Sequence, residues 1–193
     1  MRALVPLVTA ALVLSAAGAA AATTTAAGPT RVQADVLIWA AGEPTPEGPL
    51  GAYAYDTELV PPGTKVALLS VSKGGRTTTL LAVRGLVPDR SYGAHLHVNA
   101  CTVDPAAAGP HYQQVPDPVQ PSTDPDYANP DNEVWLDFPT GDTGNGAVLA
   151  QNPWTYRQAP KSVVIHANAT SHGEGTAGQA GPRVACLTLT ARD

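Results

Sequence analysis

The stretch Lys65-Val66-Ala67-Leu68-Leu69-Ser70-Val71-Ser72-Lys73-Gly74-Gly75-Arg76-Thr77-Thr78-Thr79-Leu80-Leu81-Ala82-Val83 decides the fold class. Two apolar, β-branched runs, 65–71 and 77–83, flank Lys73-Gly74-Gly75, which reads as a hairpin turn between two strands. The pattern repeats along the chain. Similar runs occur at 32–39, 51–55, 92–98, 133–138, 147–150, 162–166 and 184–190, with turn residues between them. Nineteen prolines and 18 glycines interrupt any helical period, so no long helix is expected. Short strands at even spacing, joined by Gly- and Pro-rich connections, predict an all-β fold, an antiparallel sandwich or barrel.

Two connections are long for a compact domain and are expected to carry function. Residues 102–132 are rich in Pro and Asp, with seven prolines between Pro105 and Pro130 that lower the entropy of the unfolded chain. Residues 167–182 are rich in Gly, Ala and Thr. At the N-terminus, Met1-Arg2 leads into an apolar stretch and then small residues through Ala22, the pattern of a secretory signal peptide over 1–22. The apolar run is too short for a transmembrane anchor and ends in Thr23-Thr24-Thr25 and Pro29. Residues 23–31 read as a loose linker and 32–193 as one domain, about the size that builds a proper core. With 11 Lys+Arg against 16 Asp+Glu, a formal charge of −5, nothing advertises a nucleic-acid or anionic-membrane surface. Export places the two cysteines, Cys101 and Cys186, in an oxidising compartment, where one disulfide is the simplest count. It would close a loop long enough to contribute about 4 kcal/mol in the chain-entropy account.

The chemistry lies in the histidines, of which the chain has five. His95 and His97 are two apart in Gly93-Ala94-His95-Leu96-His97, so on a strand both imidazoles share a face while Leu96 points the other way. His111 follows Gly109-Pro110, and His166 ends Ser162-Val163-Val164-Ile165-His166. Four imidazoles from separate segments, with neither thiolates nor a carboxylate-rich set, suit copper or zinc better than magnesium or calcium. His172, in Ser171-His172-Gly173-Glu174-Gly175, reads as solvent-exposed.

From about Val32 onward the chain resembles the copper/zinc superoxide dismutase family. The resemblance rests on Gly93-Ala94-His95-Leu96-His97, Cys101, Ala108-Gly109-Pro110-His111, Val163-Val164-Ile165-His166 and Ala180-Gly181-Pro182-Arg183-Val184-Ala185-Cys186, in the family's order. It implies a Greek-key β-sandwich and an enzyme that dismutes superoxide, its substrate, to oxygen and hydrogen peroxide. It also implies copper on His95, His97 and His166, with His111 as the family's copper–zinc bridging histidine. Cys101–Cys186 would be the family's disulfide and Arg183 its active-site arginine. His111 is then a catalytic candidate, because imidazole is the side chain suited to hand on a proton at neutral pH. Arg183 is the other, a permanent cation whose planar fork holds a small anion.

The chain also departs from that family. No histidine lies between Tyr112 and Ile165, so two of the family's zinc histidines have no counterpart. In Asn132-Glu133-Val134-Trp135-Leu136-Asp137-Phe138, Asp137 falls near the family's zinc aspartate and Glu133 near a missing histidine. The expectation is a copper-only form, with Asp137 or Glu133 accepting a hydrogen bond from the far nitrogen of His111, or both left as residual zinc carboxylates. Residues 167–182 carry no Lys or Arg and one acid, Glu174, so guidance of an anion would rest on Arg183 and the metal. The reading from another class is a noncatalytic, secreted copper-binding domain on the same fold.

Overall fold

The computed structural model describes residues 35–192. The signal and linker expectations fall on residues outside that span. Among the described residues, ten strands form two antiparallel five-stranded sheets. The first sheet runs β10 (Thr190–Arg192), β1 (Val36–Gly42), β3 (Lys65–Lys73), β4 (Arg76–Arg84), β7 (Gly146–Asn152). The second runs β2 (Ala52–Ala54), β9 (Arg183–Thr188), β8 (Ser162–His166), β5 (Ser91–His97), β6 (Phe138–Pro139). No helix among the described residues is long and apolar enough to cross a membrane.

The opening hairpin forms in the expected register, with Lys73 opposite Arg76. Gly74 and Gly75 both have positive φ, 59° and 79°, the conformation a two-residue hairpin turn requires and glycine adopts without strain. In β3 and β4 one side chain in two is buried, which puts Val66, Leu68, Leu81 and Val83 into the space between the sheets. Ile38 from β1 and Leu96, Val163 and Ile165 from the second sheet meet them there. Ser70 and Thr79 lie buried in the same layer, and their hydroxyls are satisfied by each other at 2.7 Å and by Tyr156 at 2.8 and 3.3 Å.

The second sheet is built differently. β5 and β8 are buried almost without alternation, because loops cover the outer face as completely as the first sheet covers the inner one. Val164 therefore joins a separate outer cluster with Cys101, Ala108 and Cys186, next to the Cys101–Cys186 disulfide.

Two expected strands differ from the structure. Of 133–138, only Phe138 pairs in a strand; the rest makes isolated bridges, His95 to Trp135 and Gln113 to Glu133, and turns its carboxylates toward the histidines. The 184–190 run divides at Leu189 into β9 and β10, which belong to different sheets.

Candidate metal centre

The four motif histidines converge. One nitrogen from each of His95, His97, His111 and His166 lies within 4.8 Å of the others, the only such cluster of possible metal ligands among the described residues. β5 supplies His95 and His97 on its outer face, with Leu96 in the core on the opposite side as the two-residue period requires. β8 runs antiparallel beside β5 and brings His166 opposite Gly93, while on its other side a register irregularity between Ile165 and His166 sets His166 opposite Arg183 of β9. His111 bridges to His97 on the other flank of β5. The His95 and His111 rings stack with centroids 4.0 Å apart.

Each ring is turned by a hydrogen bond on its far side. His97 Nδ1–H donates to the Gly109 carbonyl at 2.9 Å and His166 Nδ1–H to the Gly181 carbonyl at 3.1 Å, which leaves Nε2 of each with its lone pair. The His111 Nδ1 lies 2.8 Å from Glu133 Oε2, so a donated Nδ1–H again frees Nε2. His95 is reversed. Its Nε2 meets the Thr170 hydroxyl at 2.8 Å, and that hydroxyl gives its own proton to Asp137 Oδ1 at 2.6 Å. Thr170 must therefore accept from His95 Nε2–H, leaving Nδ1 bare.

His95 Nδ1, His97 Nε2 and His166 Nε2 are buried and have no hydrogen-bond partner. Burying such atoms unpaired costs free energy, and a metal ion held by the cluster could satisfy all three. The protonation states agree. Burial first, and the neighbouring His111 second, hold His95 and His97 well below the usual imidazole range. Burial brings His166 down to about 4, against the opposing Gly181 hydrogen bond. Neutral rings with free lone pairs are the form that binds metal. A set of four imidazole nitrogens fits copper or zinc.

The two carboxylates have separate tasks. Glu133, 1% exposed, accepts from His111, from Trp135 Nε1–H at 2.7 Å and from Gln113 Nε2–H at 2.9 Å. Asp137 does not approach His111 by a hydrogen bond. Its oxygens take the Thr170 amide, at 2.7 Å, and hydroxyl, so it acts on His95 through Thr170 and fastens the 167–182 loop. Neither joins the ligand cluster.

Arg183, at the start of β9, donates to the carbonyls of Pro105 and Gly109, each at 2.6 Å. Gly109 O thus serves both His97 and Arg183. Gly109 itself has φ 74° and ψ −160°, and a Cβ there would stand 2.7 Å from Asn99 Nδ2, so glycine is required. A cavity of about 310 Å³ opens over the centre, with His111, His166, Arg183, Gln113, Gln120 and Ser122 in its wall. His172 is exposed, its ring edge-on to Trp135 at 4.9 Å.

Sequence reasoning did not reach Thr170, Gly109 O, Gly181 O, Trp135 or Gln113. The carbonyls carry no side-chain signal, and Thr170 sits four residues after His166 in a loop with no motif around it. Compared with models of known protein families and with curated proteins, the chain matches none.

Proposed function

We propose that this chain is an exported, copper-dependent superoxide dismutase that works without zinc. Two superoxide anions and two protons would become dioxygen and hydrogen peroxide. The observation that carries the reading is the convergence of four imidazoles, each fixed by a hydrogen bond on its outer nitrogen, of which His95, His97 and His166 are held neutral by burial with their inner nitrogens free. His95, His97, His111 and His166 would hold the ion, and bound copper supplies a one-electron couple between its two common oxidation states.

The remaining work falls to the chain. Arg183 brings a permanent positive charge to the wall of the cavity, and two backbone carbonyls hold it there. Its remaining N–H groups can orient a small anion beside the histidines. Glu133 fixes His111 through Nδ1, so Nε2 carries the lone pair that would hold the ion or, when not so engaged, accept a proton and pass it toward the cavity. The absence of cations from residues 167–182 makes the approach weakly steered, favouring a slower enzyme than one with a charged funnel. The same bare loop is what favours the second reading, a copper-binding domain without catalysis.

The deciding experiment measures bound metal and superoxide dismutation together, on protein loaded with copper alone and with copper and zinc. One copper per chain, high activity and no response to zinc are expected. His166→Ala should lose both metal and activity while His172→Ala keeps both; equal activity in the two variants would sink the proposal. Stoichiometric copper without activity would establish the binding domain instead.

A further inference from the structure

His111 and Gln113 are two apart in an extended stretch, so both side chains leave toward the cavity while Tyr112 between them turns into the core. Gln113 is 3% exposed, and both ends of its amide are engaged. Its Nε2–H donates to Glu133 Oε1 at 2.9 Å, and the other oxygen of that carboxylate accepts from His111. Its Oε1 accepts the Asp117 backbone N–H at 2.8 Å and Gln120 Nε2–H at 3.2 Å. The amide has one possible orientation. A backbone N–H only donates and a carboxylate only accepts, so the nitrogen must face Glu133 and the oxygen Asp117.

Residues 117–122 are wound on Asp117, which is 7% exposed. Its carboxylate accepts Val119 N–H at 2.7 Å and the Ser122 hydroxyl at 2.6 Å, and its carbonyl accepts Gln120 Nε2–H at 3.2 Å. The turn so formed gives the cavity Gln120, Pro121 and Ser122, and two of its hydrogen bonds run to Gln113. Gln113 itself stands on a fixed base. Its backbone pairs with Glu133 across the two extended segments, and its carbonyl accepts Arg157 Nε–H at 2.9 Å.

We infer that Gln113 is a positioning residue of this centre: one amide fixes both the carboxylate that orients His111 and the turn that walls the cavity. Ligand and wall are thereby set as a unit. Glu133 is almost fully buried, and its partners besides His111 are two neutral N–H donors, Trp135 and Gln113. A buried carboxylate oxygen that loses its donor is costly, so without the amide Glu133 turns to find another and His111 follows. On the other side, Asp117 N–H loses its acceptor and the turn loosens. The inference rests on the four histidines holding a metal ion and not on superoxide being the substrate.

The test combines copper(II) affinity, from competition with a chelator, with hydrogen exchange in the metal-free protein. Gln113→Met keeps the length of the side chain and removes donor and acceptor together. Affinity should fall by about 10- to 100-fold. Exchange of the Asp117 amide and of His111 Nδ1–H should quicken by about tenfold or more. Gln113→Glu keeps the acceptor but sets a carboxylate against Glu133, so copper affinity should fall as far while the Asp117 amide stays protected. Adding Glu133→Gln to Gln113→Glu restores a donor facing an acceptor in the reversed sense. That double variant should bind copper about tenfold or more tightly than Gln113→Glu alone. A side chain that only fills space gives wild-type affinity in Gln113→Met and a double variant no tighter than Gln113→Glu, and either result overturns the inference. If Gln113→Met fails to fold, Gln113→Glu and the double variant decide alone. A wild type that holds no copper sinks the metal reading instead. The exchange rates in Gln113→Met then decide whether one amide sets both His111 and the turn, and an unchanged rate at either overturns it.

Discussion

The two sheets have the same strand count and the same antiparallel pairing, yet their outer faces are opposites. The outer face of β1, β3, β4 and β7 is open and largely apolar along its central rows, with Leu69, Leu80 and Leu149 in one row and Ala67, Ala82 and Ala147 in the next. The outer face of β5 and β8 is closed by two loops that bury His95, His97 and His166 at 5% exposure or less. Apolar groups left in water cost only area, whereas polar groups taken out of water demand a partner for each atom. The first face therefore needs nothing from the rest of the fold. The second needs Thr170, Gly109, Gly181 and Glu133 each in place, and it still leaves three nitrogens unpaired. A sheet face that is expensive to fold is where chemistry is to be found.

The largest effect separating the faces is acid sensitivity. His166 is held down to about 4 in the fold, and unfolding returns it to an ordinary imidazole near 6.5. The unfolded chain then binds protons that the folded one refuses, so the stability of metal-free protein is full above the unfolded value and falls as pH drops from about 6.5 toward 4. His166 alone accounts for about 3 kcal/mol, and His95 and His97 act in the same direction and extend the loss to lower pH. Denaturant unfolding of the metal-free protein at a series of pH values checks this. A flat profile between 7 and 4 would mean that the rings are not buried as described. Metal should deepen the difference, because protons compete for the same nitrogens.

Loss of the disulfide should have the next largest consequence, and it belongs to the same side of the molecule. Cys101 and Cys186, 85 residues apart, tie the start of the 102–132 loop to β9, three residues from Arg183. Replacing both cysteines with alanine should lower unfolding free energy by about 4 kcal/mol through the freed loop, read as a lower denaturant midpoint. The first sheet has no such staple. Its amide exchange should slow less than that of 102–111 when the disulfide is present, and equal protection in both regions would remove the distinction.

The open face is also the part that could be read in the sequence. Hairpin glycines and β-branched runs placed β3 and β4 almost to the residue, because on a solvent-facing sheet each position obeys a local rule of burial or turn geometry. His95, His97, His111 and His166 were legible for a related reason: each stands in a short motif, and the strand period puts two on one face. Their support was not. Asp137 and Glu133 are similar in sequence context, both acids in one apolar run, and the expectation that either would hold His111 could not be refined without knowing how 133–137 leaves the sheet. Thr170 reaches His95 only because the second loop folds back 75 residues away in sequence, and no local pattern encodes that. The end of the chain fails for the same cause, since one uniform apolar run changes sheets at Leu189.

Smaller effects sharpen the comparison at single side chains. Thr170→Val keeps the shape and removes the hydroxyl that links His95 to Asp137. Metal affinity should fall by about 10- to 100-fold, the usual consequence of losing a group that orients a ligand. Thr170→Ser should restore most of it, which a purely packing role would not predict. Glu133→Gln should give a loss of the same order by removing the charge that His111, Trp135 and Gln113 share. Competition with a chelator of known affinity measures both.

The smallest effect comes from a substitution of the same kind on the open face. Leu80→Thr exchanges an apolar for a hydroxylated side chain on a β-strand, the reverse of Thr170→Val, at a position 42% exposed. At that exposed position the new hydroxyl finds water at once and threonine suits a strand, so unfolding free energy should move by no more than about 0.5 kcal/mol. Any larger change, read from denaturant unfolding, would mean that this face supports the fold. A near-zero value, beside the metal loss at Thr170, would show that a hydroxyl matters here according to which side of which sheet it occupies.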